Sequence, residues 1–207
     1  MGSDSGLLAR PASHTALTVA PGERFDVVVD FSAYPVGTEA TLLNTLETGA
    51  TGQIMRFRVA RRGRDDSAVP DQLTSIELLN PDDATQVRTF DFRTINQDGR
   101  HMWTVNGQLF DLSASVAQPQ FGTVERWRFS SDFHHPIHLH LVHFQVLSRN
   151  GRPPQPSDGG WKDTVDVRLY EVVEVLAHFD GFCGRYMMHC HNLEHEDMAM
   201  MANFDVV

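Results

Sequence analysis

The sequence predicts an all-β protein, and three features carry that prediction. Apolar and polar residues alternate with period two, as in Met55, Phe57 and Val59 against Arg56 and Arg58. The run Val172–Ala177 is dominated by β-branched residues and shows no helical stripe. Short apolar runs are separated by turn dipeptides such as Pro21-Gly22 and Asn106-Gly107. Several short strands at regular spacing indicate a sandwich or a barrel.

Taken in order, the first pattern is ALTVA (16–20), Pro21-Gly22, then ERFDVVVDF (23–31), which reads as strand, tight turn, strand. In the second of these, Phe25, Val27, Val29 and Phe31 fall on one face. Strands are also expected at 39–46 (EATLLNTL) and 53–60 (QIMRFRVA). Residues 61–72 (RRGRDDSAVPDQ) are charged and small without periodicity, and read as a linker extending to about Asp83.

A second β-rich unit begins near Thr85 with TQVRTFDFRT. HMWTVNGQLFD follows, its Asn106-Gly107 a hairpin signal. Next come TVERWRFSS, a histidine-rich strand over Ile137–Leu147, and TVDVRLYEVVEVLAHF. A single helical turn is expected around Asn192–Glu196.

A chain of 207 residues is long enough for one large or two small domains with a substantial core. Its 41% apolar and 21% charged content is that of an ordinary globular protein. With 17 basic against 27 acidic residues, the net charge of −10 argues against a nucleic-acid partner. No apolar run approaches the roughly 20 residues that cross a bilayer, so no membrane span is expected. The first residues, MGSDSGLLARP, have neither a basic n-region nor an apolar core, so no signal peptide is expected in this stretch.

The chemistry concentrates in His189-Cys190-His191-Asn192-Leu193-Glu194-His195, continuing to Met200. If Arg185–His191 is a strand, His189 and His191 point one way and Cys190 the other, so one strand serves two metal sites back to back. On the Cys190 side, a thiolate, His195 and the thioether of Met200 need one more imidazole to make the His₂Cys set with axial Met of a blue-copper site. His135 in SDFHHPIHLHLVHF supplies it: Pro136 holds it extended. A turn at that point sends it to a different site from the HxH pair. His138 and His140 then share a strand face, opposite Ile137, Leu139 and Leu141, and join His189 and His191.

HPIHLH followed by HCHNLEHEDMAMM resembles the two C-terminal copper motifs of the multicopper oxidases. GWKDTVDV (160–167) and GRYMMHCHNLEHED are similar to the bacterial spore-coat laccase and bilirubin oxidase branch. The resemblance implies a cupredoxin-type Greek-key barrel over 85–207, preceded by the end of a second cupredoxin domain (1–60) and a linker (61–84). PGERFDVVVDFS resembles the closing strands of that second domain, where it has no copper role.

The resemblance also assigns roles. His135, Cys190, His195 and Met200 become the ligands of a type-1 copper, Met200 being selected over Met198 and Met201 by its place five residues after His195. His138 goes to a mononuclear copper, and His140, His189 and His191 go to a coupled binuclear pair. Glu196 takes the place of a carboxylate that passes protons to reducing oxygen.

The implied electron donors are phenolic or other small aromatic molecules or low-valent metal ions. Dioxygen is the acceptor, and the protein resides outside the cytoplasm. This sequence has no HxH beyond 138–140 and 189–191, whereas a trinuclear cluster uses eight imidazoles. A missing N-terminal cupredoxin domain is therefore expected to supply the other four, and the chain is expected to be a C-terminal fragment.

Two rival readings are a cupredoxin that binds copper or relays electrons without oxidase chemistry, and a cupin-type site at His138 and His140. The second explains neither HCH nor the sulfur ligands. His134, His143 and His178 are expected to be exposed or to neighbour ligands, and Cys183 to be a small packed residue.

Overall fold

The computed structural model describes residues 1–207. By contacts the chain forms two compact units, Met1–Asp26 with Pro70–Val207, and Val27–Val69. No helix is long and apolar enough to cross a membrane.

In the smaller unit, β3 (Glu39–Leu43) pairs antiparallel with β4 (Gln53–Arg58), as the alternation predicts. Phe31 packs its ring 5.2 Å from that of Phe57. No residue of Val27–Val69 is buried. Residues 59–80 contain neither helix nor strand.

The larger unit holds a short pair, β1 (Gly2–Ser3) and β2 (Gly6–Leu7), and two sheets. The five-stranded sheet runs β6 (Arg100–Val105), β5 (Ala84–Gln97), β7 (Val124–Ser131), β11 (Val172–His178), β9 (Phe144–Arg149). Its pairs are antiparallel except β5 with β7, which is parallel. The four-stranded sheet runs β10 (Thr164–Val167), β8 (His135–Leu139), β12 (Gly184–Cys190), β13 (Met201–Val206), antiparallel throughout.

One core joins the inner faces of both sheets. Phe90, Phe92, Trp127, Phe129 and Val175 come from the first, and Ile137, Leu139, Met188, Cys190 and Phe204 from the second. Trp127 is fully buried, its ring 4.7 Å from Phe90 and 5.3 Å from Phe204. Its indole N–H donates to Glu125 Oε2 at 2.8 Å, so the polar end of the largest core side chain is satisfied. Arg88 in turn holds that carboxylate with two hydrogen bonds of 2.6 and 2.8 Å.

Turn chemistry closes the hairpins. Asn106 and Gly107 both have positive φ, as a type I′ turn requires, between bridged Val105 and Gln108. Asp98-Gly99 makes the same combination between β5 and β6 and was not singled out from the sequence. Residues 164–178 form strand, turn and strand rather than helix, with Tyr170 at φ 56 in the turn.

Three expectations need correction. The strands expected at 16–20 and 23–31 do not form; only the Pro21-Gly22 turn and an isolated bridge between Gly2 and Asp26 are present. Alternation makes a strand possible, but a strand also needs a neighbour to take its backbone hydrogen bonds, and Val27, Val28 and Val29 lie exposed. The strand expected over Ile137–Leu147 is two strands, because Leu141 adopts φ 65 and turns the chain after His140. His135 is the first residue of β8 rather than ahead of it.

Replacing Trp127 by alanine should cost roughly 3–5 kcal/mol, whereas Leu46→Ala, at an exposed position, should change stability by less than about 0.5 kcal/mol. Chemical unfolding of the two variants checks this; equal effects would contradict a core centred on Trp127.

Candidate metal centre

The antiparallel register of β8 and β12 builds the site. Met188 lies opposite Leu139, His189 opposite His138, and Cys190 opposite Ile137. Side chains alternate along each strand, so Cys190 faces the core with His135, Ile137 and Leu139, while His189 and His138 share the other face.

On the core face, Cys190 Sγ lies 3.5 Å from His135 Nδ1 and 3.4 Å from His195 Nδ1, and the two nitrogens are 3.1 Å apart. All three residues are buried. His195 arrives from helix α1 (Leu193–Asp197), the expected single turn. The loop that carries it is closed by its own backbone: Met200 N–H donates to His195 O, and Cys190 N–H donates to Met200 O. Met200 is fully buried in the core cluster that includes Cys190.

The donor atoms are oriented by their neighbours. His135 places Nε2 3.3 Å from Asp132 Oδ1, so the N–H points at the carboxylate and the Nδ1 lone pair points at Cys190. Asp132 is itself fixed by the Thr94 amide and hydroxyl at 2.8 and 3.0 Å. Burial pushes His135 down to about 4, against the opposing pull of Asp132, and also lowers His195. Burial pushes the Cys190 thiol up to about 12. Two neutral imidazoles and one thiol converge on a common point, and edges of 3.1–3.5 Å are close to those of three donors sharing one ion at roughly 2 Å. The set suits a soft or borderline metal, since thiolate with imidazole selects such ions.

On the opposite face, His138, His140 and His189 bring their ring nitrogens within 4.8 Å of one another. His140 Nε2 lies 3.1 Å from His189 Nε2. His191, just past β12, joins with its ring 5.1 Å from that of His189 and 5.6 Å from that of His138.

Two of these rings are held by backbone. His138 Nδ1–H donates to Asp163 O at 3.0 Å, and His189 Nδ1–H donates to Cys190 O at 3.2 Å, which leaves both Nε2 atoms for the cluster. Burial lowers His140 and His189, which favours the uncharged imidazole. Glu196 Oε2 sits 3.6 Å from His189 Nδ1 and 3.8 Å from His191 Nδ1.

The structure thus gathers seven of the eight residues singled out from the sequence into two groups of side chains, with Glu196 at the second, and ties Met200 to the first through backbone hydrogen bonds to Cys190 and His195. His134 is exposed, 4.0 Å from Asp166, and His143 is exposed as well. Cys183 is exposed rather than packed, a correction that follows from its place in the open loop before β12.

Sequence reasoning missed Asp132, three residues before His135, which its spacing alone would have offered as a partner. It also missed Trp103, stacked on the His195 ring at 3.8 Å, for which no local signal exists. Asp163 lies in the GWKDTVDV motif, with no local signal of its role beside His138. Burial acts to raise its pKa, but hydrogen bonds from His138, Arg24 and Thr164 outweigh it and hold the carboxylate well below its usual range.

A two-sheet β sandwich with a buried His₂Cys set backed by a histidine cluster defines a cupredoxin-like domain with candidate metal sites. The profile of the family described as "Multicopper oxidase" matches residues 80–207. The laccase of Bacillus subtilis (strain 168) is 34% identical over 235 residues, covering 100% of this chain and 45% of the relative. The bilirubin oxidase of Albifimbria verrucaria is 38% identical over 229 residues, covering 98% and 38%. The crystal structure of a laccase from Pediococcus acidilactici Pa5930 superposes with a TM-score of 0.86 at 31% identity, covering 100% of this chain and 44% of that one. The chain belongs to the multicopper oxidase family. It spans under half the length of these relatives.

Two outcomes test the first group. Asp132→Ala should weaken copper binding at Cys190 by about 10- to 100-fold, because the His135 tautomer is no longer fixed; a competition titration reads this, and unchanged affinity would contradict it. With burial raising the Cys190 thiol and only the thiolate able to bind, affinity should rise above neutral pH by about tenfold per unit. Calorimetry in buffers of different ionisation enthalpy should show one proton released from this site per copper.

Proposed function

We propose that the chain is the electron-entry part of a laccase-like oxidase. His135, Cys190, His195 and Met200 would hold a type-1 copper that accepts single electrons from a phenolic, other small aromatic or metal-ion donor. His138, His140, His189 and His191 would contribute to a trinuclear copper centre where four such electrons and four protons reduce dioxygen to two waters. Copper, when bound, supplies the one-electron redox chemistry.

One observation carries this reading: Cys190 Sγ lies within 3.5 Å of two imidazoles on one face, while its chain neighbours His189 and His191 stand in the second group on the other. A few covalent bonds through the Cys190 backbone therefore connect the two groups, and the Cys190 carbonyl also accepts from His189 Nδ1. The protein's own part is to hold donors in neutral, oriented forms, to exclude water from the sulfur, and to keep Glu196 beside His189 and His191 as a proton carrier.

The expected domain boundaries, 1–60 as the end of a second cupredoxin domain, 61–84 as linker and 85–207 as the copper domain, belong to the same proposal. The profile match over 80–207 supports the last of these. Residence outside the cytoplasm, which the family resemblance implies, belongs to the same proposal.

A second reading has its own observation. The 207 residues hold only four imidazoles in the second group, half of what a trinuclear centre uses. Taken by itself this chain then behaves as a blue-copper electron-transfer or copper-binding module.

Copper titration of the purified chain, followed by visible absorption and EPR, tests the proposal. The expected result is an intense blue band saturating at about one copper per chain, lost in Cys190→Ser. A chain that binds copper without the band would overturn the type-1 assignment.

A further inference from the structure

We propose that the turn Pro21–Arg24 is a positioning element for the four-histidine group, seating His191 by contact and His138 through Asp163. Its importance for metal binding rests on the reading of that group as a copper site; the positioning itself does not.

The turn touches two of the four histidines by separate routes. Gly22 has φ +84, and a Cβ built on it would lie 2.5 Å from His191 Cδ2 and 2.8 Å from Cγ. The backbone therefore packs directly against the imidazole, and only glycine leaves room for the ring where it stands. Two residues on, the Arg24 guanidinium grips Asp163 with paired hydrogen bonds of 2.6 and 2.7 Å, a fork geometry that fixes direction as well as distance. Asp163 presents its backbone oxygen to His138 Nδ1 at 3.0 Å, and its carboxylate accepts from Thr164 Oγ1, which also lies 3.1 Å from that nitrogen.

The turn is anchored from below. Lys162, fully buried, pairs with Asp4 at 3.0 Å and Glu23 at 3.3 Å. Glu23 also accepts from the Ala20 amide at 2.9 Å, and the Arg24 amide donates to Asp4 Oδ1 at 2.7 Å. A turn that served only to reverse the chain would not require a buried lysine and two carboxylates. The strands expected on either side of this turn are absent, yet the turn itself forms, with these ion pairs and hydrogen bonds as its anchors.

The test uses imidazole ¹⁵N–¹H correlation spectra of the purified, metal-free chain, with His138 and His191 assigned by substitution to asparagine. The unmodified chain should show His138 as a single Nδ1–H tautomer. Arg24→Gln should mix the tautomers, Arg24→Lys should do so less, and Gly22→Ala should shift the His191 resonances, while His135 and His195 stay unchanged in all three. Zn²⁺ titration followed at the His138 and His191 resonances should weaken about tenfold or more in Arg24→Gln and Gly22→Ala. His138 and His191 resonances unaltered in every variant would overturn the proposal. If Zn²⁺ moves neither resonance even in the unmodified chain, the metal-site reading of the group fails, while altered metal-free spectra still establish the turn's role.

Discussion

The register between β8 and β12 is the constraint on which the rest depends. With Cys190 opposite Ile137 and His189 opposite His138, the two-residue repeat of a strand separates sulfur chemistry from the imidazole cluster. A slip of one residue would exchange the faces, putting Cys190 with the histidines and His189 in the core. The core makes that slip costly: Ile137, Leu139, Met188 and Cys190 are all fully buried on the inner face, and each would trade places with a polar neighbour.

The same packing explains why the first group is buried and preorganised. Two imidazoles and a thiol lie buried against Phe92 and Trp103, with the exposed Phe133 ring beside them. In such surroundings the uncharged forms are favoured, which depresses His135 and raises Cys190. Asp132 then decides which nitrogen of His135 is free. The ligand loop adds a second restraint, since Cys190, His195 and Met200 are linked by backbone hydrogen bonds around α1. The fold thus holds the donors where an ion needs them, against their preference for water.

Much of this was legible in the sequence because the candidate ligand residues lie in two short motifs whose spacing survives folding. Alternation within HPIHLH and HCH put Cys190 and His189 on opposite faces, as the register of β8 and β12 has them, and β-branched residues identified β11. What the sequence concealed depends on distant partners. Asp163 and Arg24 are far apart in the chain yet form one bidentate pair, and Gly22 gives no sign that it faces His191. The 23–31 pattern misled for a related reason: period-two alternation describes a strand's faces but says nothing of whether a neighbouring strand exists. Leu141 shows the local limit, since an apolar residue in an apolar run offers no warning of a positive φ.

We propose that sulfur and two imidazoles on the core face form the preferred first copper site. Copper K-edge X-ray absorption on the chain loaded with one equivalent tests it most directly. One short sulfur scatterer with two imidazole nitrogens is the predicted result. A shell of nitrogen and oxygen alone would place the first copper among His138, His140, His189 and His191, and would contradict the claim.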